Sequence, residues 1–136
     1  MQIHSVLIPV DNIDTAIIFY TENLCFKKKH DISKIDKKTG LEYRKVSLLS
    51  TRSDNNFELV FSTLSNSFEP LITYQKQLHK LGVPYLNLSV INVNQEYHRL
   101  LKSGVVFSLL PKVIGLQKIA VFDDGCGNNI QIIENL

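Results

Sequence analysis

The sequence predicts an α+β fold built from two modules, each with the order strand, helix, strand, strand, strand. The first observation behind this prediction is an internal repeat, because residues 4–11 and 85–92 both look like a buried strand that leads into an amphipathic helix. The copies are offset by 81 residues, and each helix is followed by a short apolar triplet, at 24–26 and 105–107. Repeated units usually share a core, so we expect a cleft between two similar halves.

The second observation is the size and composition of the chain. Its 136 residues suit one compact unit or two small halves that share a core. A hydrophobic fraction of 44% and a charged fraction of 21% are typical of a globular protein. The net charge of +2 gives no reason to expect nucleic acid or a membrane as a partner. No transmembrane or signal-peptide pattern is present, so we expect a cytoplasmic protein.

In the first half, apolar spacing and polar caps indicate each element. Residues 2–9 are rich in Ile, Val and Leu and predict a buried strand. Asp11 or Asn12 can cap the next helix, because their side-chain oxygens accept hydrogen bonds from its free amide groups. Asn and Asp residues at 51–56 predict a turn. The predicted elements of this half are strand 2–9, a helix ending near residue 23, and strands 25–32, 41–50 and 57–62.

The second half repeats this order after a linking helix. Pro70 is suited to the first turn of a helix, which is predicted to end at Gly82, and Gly104 is predicted to end the next one. The chain is therefore divided into a first module at 1–64, a linker helix at 65–83 and a second module at 84–136, in one globular unit. The predicted elements of the second half are strand 84–91, helix 94–103, strands 105–110 and 116–122, turn 123–128 and strand 129–134.

Polar side chains alternate with apolar ones along several predicted strands. In strand 85–90 the apolar residues share one face, and Tyr85, Asn87 and Ser89 share the other. This strand is predicted to lie in the middle of its sheet, so its polar face is expected to line solvent or a ligand. A buried carboxylate or imidazole is costly unless it is hydrated, paired or bound. By the repeat, four side chains should occupy matching places on one concave surface, namely His4, Glu58, Tyr85 and Gln131.

The chain carries two sequence signatures, one near each end. The amino-terminal signature comprises His4, Asp11, Ala16, Phe19, Tyr20, Leu24 and Phe26, and the carboxy-terminal one comprises Phe122, Asp123, Asp124, Gly127, Asn128, Ile130, Gln131 and Ile132. With these signatures the chain resembles the vicinal oxygen chelate superfamily, which includes glyoxalases, bleomycin-resistance proteins and extradiol dioxygenases. The resemblance covers nearly the whole chain and implies two βαβββ modules that form an open, curved mixed sheet around a central cleft. Cys25 stands where a glycine is frequent, which concerns turn geometry.

The resemblance also implies positions for a metal ion. Four cleft positions hold the ion in metal-using members, and they fall on His4, Glu58, Tyr85 and Gln131. His4 and Glu58 are suitable ligands, and the amide oxygen of Gln131 can bind a hard cation. Tyr85 stands where His is most common, and a phenol with a pKa near about 10 is a poor ligand at neutral pH. Two possibilities stay open, namely no cofactor, or a divalent metal held by His4, Glu58 and Gln131.

The favoured function is a small-molecule binding protein of the glyoxalase and bleomycin-resistance type, with the ligand in the cleft and a second copy of the chain as partner. Either Arg44 or its neighbour Lys45 must face the cleft, and Arg44 is taken as the ligand contact. The lysines at 27–29 alternate with acidic residues farther along a hairpin and are taken as solvated. The predicted ligand contacts are His4, Arg44, Glu58, Tyr85, Asn87, Ser89 and Gln131.

Two other functions remain open. The first is a divalent-metal-dependent lyase, isomerase or dioxygenase that acts on a substrate with vicinal oxygens, with Glu58 as the catalytic group that moves a proton. The second is a regulatory or partner-binding module in which Tyr85 fills the cleft. Whether the protein is an enzyme is therefore left open by its sequence.

Overall fold

The computed structural model describes residues 1–51 and 57–136 and contains two four-stranded mixed sheets with helices. The chain divides into two compact units, Met1–Thr73 and Tyr74–Leu136, and the boundary falls within a helix. This architecture confirms the predicted α+β fold of two βαβββ modules. The predicted limits of module and linker stay a prediction. Of the predicted turn at 51–56, all but Thr51 lies outside the described residues.

The first unit follows the predicted order, with one additional helix. Its elements are β1 (Ser5–Leu7), α1 (Ile13–Ile18) with a π-helical turn (Phe19–Asn23), β2 (Phe26–Ile35), β3 (Glu42–Ser50), β4 (Glu58–Ser62) and α2 (Thr63–Ser67), and α3 (Glu69–Lys80) spans the boundary between the units. The sheet has the order β1-β4-β3-β2, in which β1 is parallel to β4 and the other pairs are antiparallel. The Asn12 side chain accepts a hydrogen bond from the Thr15 amide at 2.9 Å and so caps α1.

Two strand boundaries and one helix in this unit differ from the prediction. β1 is much shorter than the predicted strand 2–9, and β2 extends through Ile35 into the predicted loop because it pairs with β3 as far as Glu42. Helix α2 was not predicted, although Ser62 caps it by accepting from the Leu64 amide. These differences arise from pairing and capping, which apolar periodicity does not reveal.

The core of the first unit lies between its sheet and the α1 segment. Tyr20 and Phe61 are fully buried, and their ring centroids are 5.2 Å apart in an edge-to-face arrangement. Phe26 contacts Tyr20 from another strand, at 6.2 Å between the ring centroids. Because Leu59 and Phe61 alternate with Glu58 and Val60 along β4, the helical segment covers the face of the sheet that does not carry Glu58.

The second unit repeats the arrangement, with sheet order β5-β8-β7-β6 and β5 parallel to β8. Asn92 caps α4, which buries Leu100 on the sheet, whereas the neighbouring Leu101 is 49% exposed. Phe122 packs against Phe107, with ring centroids 5.5 Å apart. The elements are β5 (Pro84–Ser89), α4 (Val93–Lys102), β6 (Phe107–Ile114), β7 (Gln117–Asp123) and β8 (Asn129–Asn135).

The position of β5 was predicted incorrectly. Both β1 and β5 lie at the edge of their own sheets within the described residues, and neither is a central strand. The first strand of each module pairs only with the last strand, in parallel, while the other three form an antiparallel meander. The polar residues of β5 thus lie on an edge strand.

The connections between elements contain two specialised turns. Cys25 has a φ of 62°, in the left-handed region that favours glycine, which explains why a glycine is frequent at this position. Between β7 and β8, the fully buried Asp124 accepts hydrogen bonds from the amides of Cys126 and Asn128 and from the Asn128 side chain. No helix in the described part of the chain is both long and apolar enough to cross a membrane.

Candidate ligand site

Glu58 begins β4 and is only 7% exposed. Its Oε1 accepts a hydrogen bond from Lys29 Nζ at 2.6 Å, so the buried carboxylate forms an ion pair. The Lys29 hydrogen bond is the main cause that lowers the pKa of the Glu58 carboxyl, and the charges of Lys29, His4 and His30 lower it further against the opposing effect of burial. Glu58 is therefore ionised at neutral pH.

A β-bulge places Lys29 next to this carboxylate. Lys28 lies opposite Leu48 and His30 lies opposite Ser47, so Lys29 is the extra residue in β2. Because cross-strand partners share a face, His30, Ser47 and Val60 lie on the same side of the sheet as Glu58. The role of Lys29 could not be predicted from the sequence, since a bulge leaves no clear pattern in a run of three lysines.

His4 lies next to Glu58 but outside β1. Its carbonyl accepts from the Glu58 amide at 2.9 Å, and its side chain is exposed. Within β1, Val6 lies opposite Leu59, on the side of the sheet that faces α1. His4 and Glu58 are therefore neighbours because of a backbone hydrogen bond and a charge interaction, and not because strand alternation puts them on one face.

In the second unit, Asn87 and Gln131 form the matching polar pair. They lie opposite each other in the β5–β8 pair, and Gln131 Nε2 donates to Asn87 Oδ1 at 3.1 Å. Ser89 follows on the same face and is exposed. This face is opposite the one that carries Ile130 and Phe122, which pack beneath α4, so the predicted grouping of Asn87, Ser89 and Gln131 is present within this unit.

The two units differ in strand register by one residue. Asn87 lies opposite Gln131, whereas Ser5 lies opposite Glu58. The offset of the repeat makes Val6 the equivalent of Asn87, so exact symmetry would have placed Val6 opposite Glu58. A shift of one residue moves side chains to the other face of a strand. The repeat thus predicts which strands carry the site, but it does not predict which residues lie opposite each other in those strands.

Tyr85 is half-buried and contacts a different part of the second unit. Its ring lies 6.2 Å from that of Tyr74 in α3, measured between the centroids. Burial raises the pKa of the Tyr85 phenol, and the charge of Tyr74 raises it further. The phenol is therefore protonated at neutral pH, as a hydrogen-bonding group rather than an anionic ligand.

Arg44 lies on the opposite face of its sheet from Glu58. Its guanidinium binds both carboxylate oxygens of Asp31 at 2.9 and 2.8 Å and the carboxylate of Asp14 in α1 at 2.7 Å. Strand alternation instead places the neighbouring Lys45 on the Glu58 face, opposite Ser62. The structure thus assigns Arg44 a contact between β3 and α1, away from the other predicted site residues of its unit.

The four predicted metal positions do not fit a divalent ion. The carboxylate of Glu58 is already paired with an ammonium group, Tyr85 offers a neutral phenol, and Gln131 offers a single neutral amide oxygen. Zinc and related ions favour several nitrogen, sulfur or carboxylate donors. Within residues 1–51 and 57–136, no group of three or more His, Cys, Asp or Glu side chains could hold a metal. We therefore derive no chemical step through a metal.

Comparison with known proteins establishes the family. The model of the Glyoxalase/Bleomycin resistance protein/Dioxygenase superfamily matches residues 2–132. The chain therefore belongs to this superfamily, as the two sequence signatures indicated. An uncharacterised protein of Bacillus subtilis (strain 168), YurT, is 37% identical over 134 residues, which cover 98% of this chain and 99% of that protein.

Solved structures share the fold along the whole chain. The crystal structure of UcmS2 is similar with a TM-score of 0.79 and 25% identity, and the match covers 99% of this chain and 98% of that one. TnmS3, an antibiotic binding protein from Streptomyces sp. CB03234, is similar with a TM-score of 0.74 and 21% identity, over 100% of this chain and 97% of that one.

Proposed function

We propose that this protein binds a small organic molecule on the sheet faces that its helices do not cover and does so without catalysing a reaction. The observation that carries this proposal is a matching polar pair in each unit, on the face that the α1 segment or α4 leaves uncovered. One pair is Lys29 and Glu58, and the other is Asn87 and Gln131.

Two further findings support binding rather than metal-dependent catalysis. The metal positions carry an ion pair and a neutral phenol, which leaves a lyase or dioxygenase without its ion. A structural relative, TnmS3, is described as an antibiotic binding protein. We propose that this chain likewise binds a small molecule, and that it acts as a cytoplasmic homodimer.

Thermal-shift screening tests this proposal. A ligand present at 100 times its dissociation constant should stabilise the protein by about 2.7 kcal/mol, which corresponds to a rise in melting temperature of about 10 °C. A library of small organic molecules that includes antibiotics is the appropriate probe. If no compound raises the melting temperature, the binding function is refuted.

Gln131→Ala should weaken the binding of any such compound about fivefold, the effect expected for the loss of one neutral hydrogen bond. Gln117→Ala is the matched control, because Gln117 is an exposed glutamine of the same sheet that bonds Asn135. If the two variants bind the compound with equal affinity, Gln131 is not part of the binding site.

A further inference from the structure

We propose that the ammonium group of Lys29 supplies, at Glu58, the positive charge that a divalent ion would supply, and that this place binds an uncharged carbonyl or hydroxyl oxygen of the ligand. This inference rests on the proposed binding function and names the chemistry that the first unit would recognise. The Lys29 ammonium group then occupies the place at Glu58 that a metal ion would take.

The ion pair leaves Lys29 able to bind a further group. A lysine ammonium has three N–H donors, and the described residues account for one of them, which Glu58 accepts at 2.6 Å. The Lys29 side chain is 41% exposed, whereas that of Glu58 is 10% exposed. The buried carboxylate thus holds the ammonium in place, and two donors remain for oxygen atoms of a ligand.

A second and independent observation comes from Ser47. This residue is 3% exposed, and its Oγ finds no hydrogen-bond partner among the described residues. Ser47 lies on the Glu58 face, opposite His30 on one side and Val60 on the other. A buried hydroxyl without a partner is unfavourable, and a ligand oxygen or polar hydrogen at this place would satisfy it.

The charge balance indicates which ligand group suits the site. Lys29 and Glu58 together are neutral, so a carboxylate or phosphate would gain the attraction of one group and the repulsion of the other. A divalent cation that approached the Glu58 carboxylate would meet the positive charge of the Lys29 ammonium group. A carbonyl or hydroxyl oxygen can accept from Lys29 without either penalty, and Ser47 can donate to or accept from a neighbouring polar atom.

The first experiment compares variants with a compound found by the thermal-shift screen. Lys29→Met should weaken its binding at least tenfold, the effect of losing a hydrogen bond from a charged donor. Lys28→Met should change the affinity less than twofold, because Lys28 lies opposite Leu48, on the other face, with its ammonium 3.7 Å from Asp31. If Lys29→Met keeps the affinity within twofold, the inference is wrong even though the protein binds ligands.

The second experiment uses Ni²⁺ alone and needs no ligand. Calorimetric titration should show at least tenfold tighter binding by Lys29→Met than by the unaltered protein, since the competing charge is gone. The double variant Lys29→Met with Glu58→Gln should lose this gain. Equal affinity in the unaltered protein and the single variant, or a gain that persists in the double variant, would overturn the inference. Lys29→Gln provides the same comparison if the methionine variant does not fold.

Discussion

Replacing Asp124 by alanine should destabilise the protein by about 3–5 kcal/mol, because the carboxylate is fully buried and accepts hydrogen bonds from two backbone amides and a side chain. The change leaves the amides of Cys126 and Asn128 and the Asn128 side chain without this acceptor inside the turn before β8. Gln131 lies on β8, so the second unit should lose its polar pair as the turn loosens. Chemical denaturation measured by circular dichroism gives the free energy of unfolding.

Two control variants separate this effect from a simple change of charge. Asp124→Asn keeps one oxygen for the Cys126 and Asn128 amides but places an NH₂ group toward the Asn128 side chain, so it should cost about half as much. Asp11→Ala removes an exposed carboxylate and should change the free energy by less than about 0.5 kcal/mol. If Asp124→Ala were as stable as Asp11→Ala, the turn would not depend on this carboxylate.

Phe61→Ala should cost about 3–5 kcal/mol, the usual effect of removing a fully buried aromatic ring. Phe61 lies in β4 and packs edge-to-face against Tyr20, so its loss creates a cavity between the sheet and the helical segment. A protein with an ordinary free energy of unfolding, about 5–15 kcal/mol, would keep only part of that stability. Thermal unfolding followed by calorimetry measures the loss.

Phe68→Ala is the matched control for this ring, because Phe68 is 59% exposed. Its removal should cost less than about 1 kcal/mol. A large effect in Phe68→Ala, or a small one in Phe61→Ala, would place the core of the first unit elsewhere.

The fold could be predicted because its signals are local and repeated. The offset of 81 residues relates two strand–helix pairs, and polar caps such as Asn12 and Asn92 begin both helices. The sheet order was harder, since β5 was predicted as a central strand. Alternating polar and apolar residues show that one face of a strand is buried, but they do not show how many neighbours the strand has.

Part of the candidate site could be predicted from strand alternation. Strand alternation located Asn87, Ser89 and Gln131 on one face, and it left Arg44 and Lys45 as alternatives that only the register of β3 could distinguish. The pairing of Lys29 with Glu58 depends on a bulge in β2, twenty-nine residues away in sequence. Such a contact is set by tertiary pairing, and periodicity carries no information about it.

A crystal structure of the protein with a compound from the screen would be decisive. We expect a bound molecule with an oxygen atom about 3 Å from Lys29 Nζ, on the face of the first sheet that carries Glu58. A molecule seated beneath α1 or α4, or one that contacts neither Lys29 nor the Asn87 and Gln131 amides, would contradict the proposed ligand site.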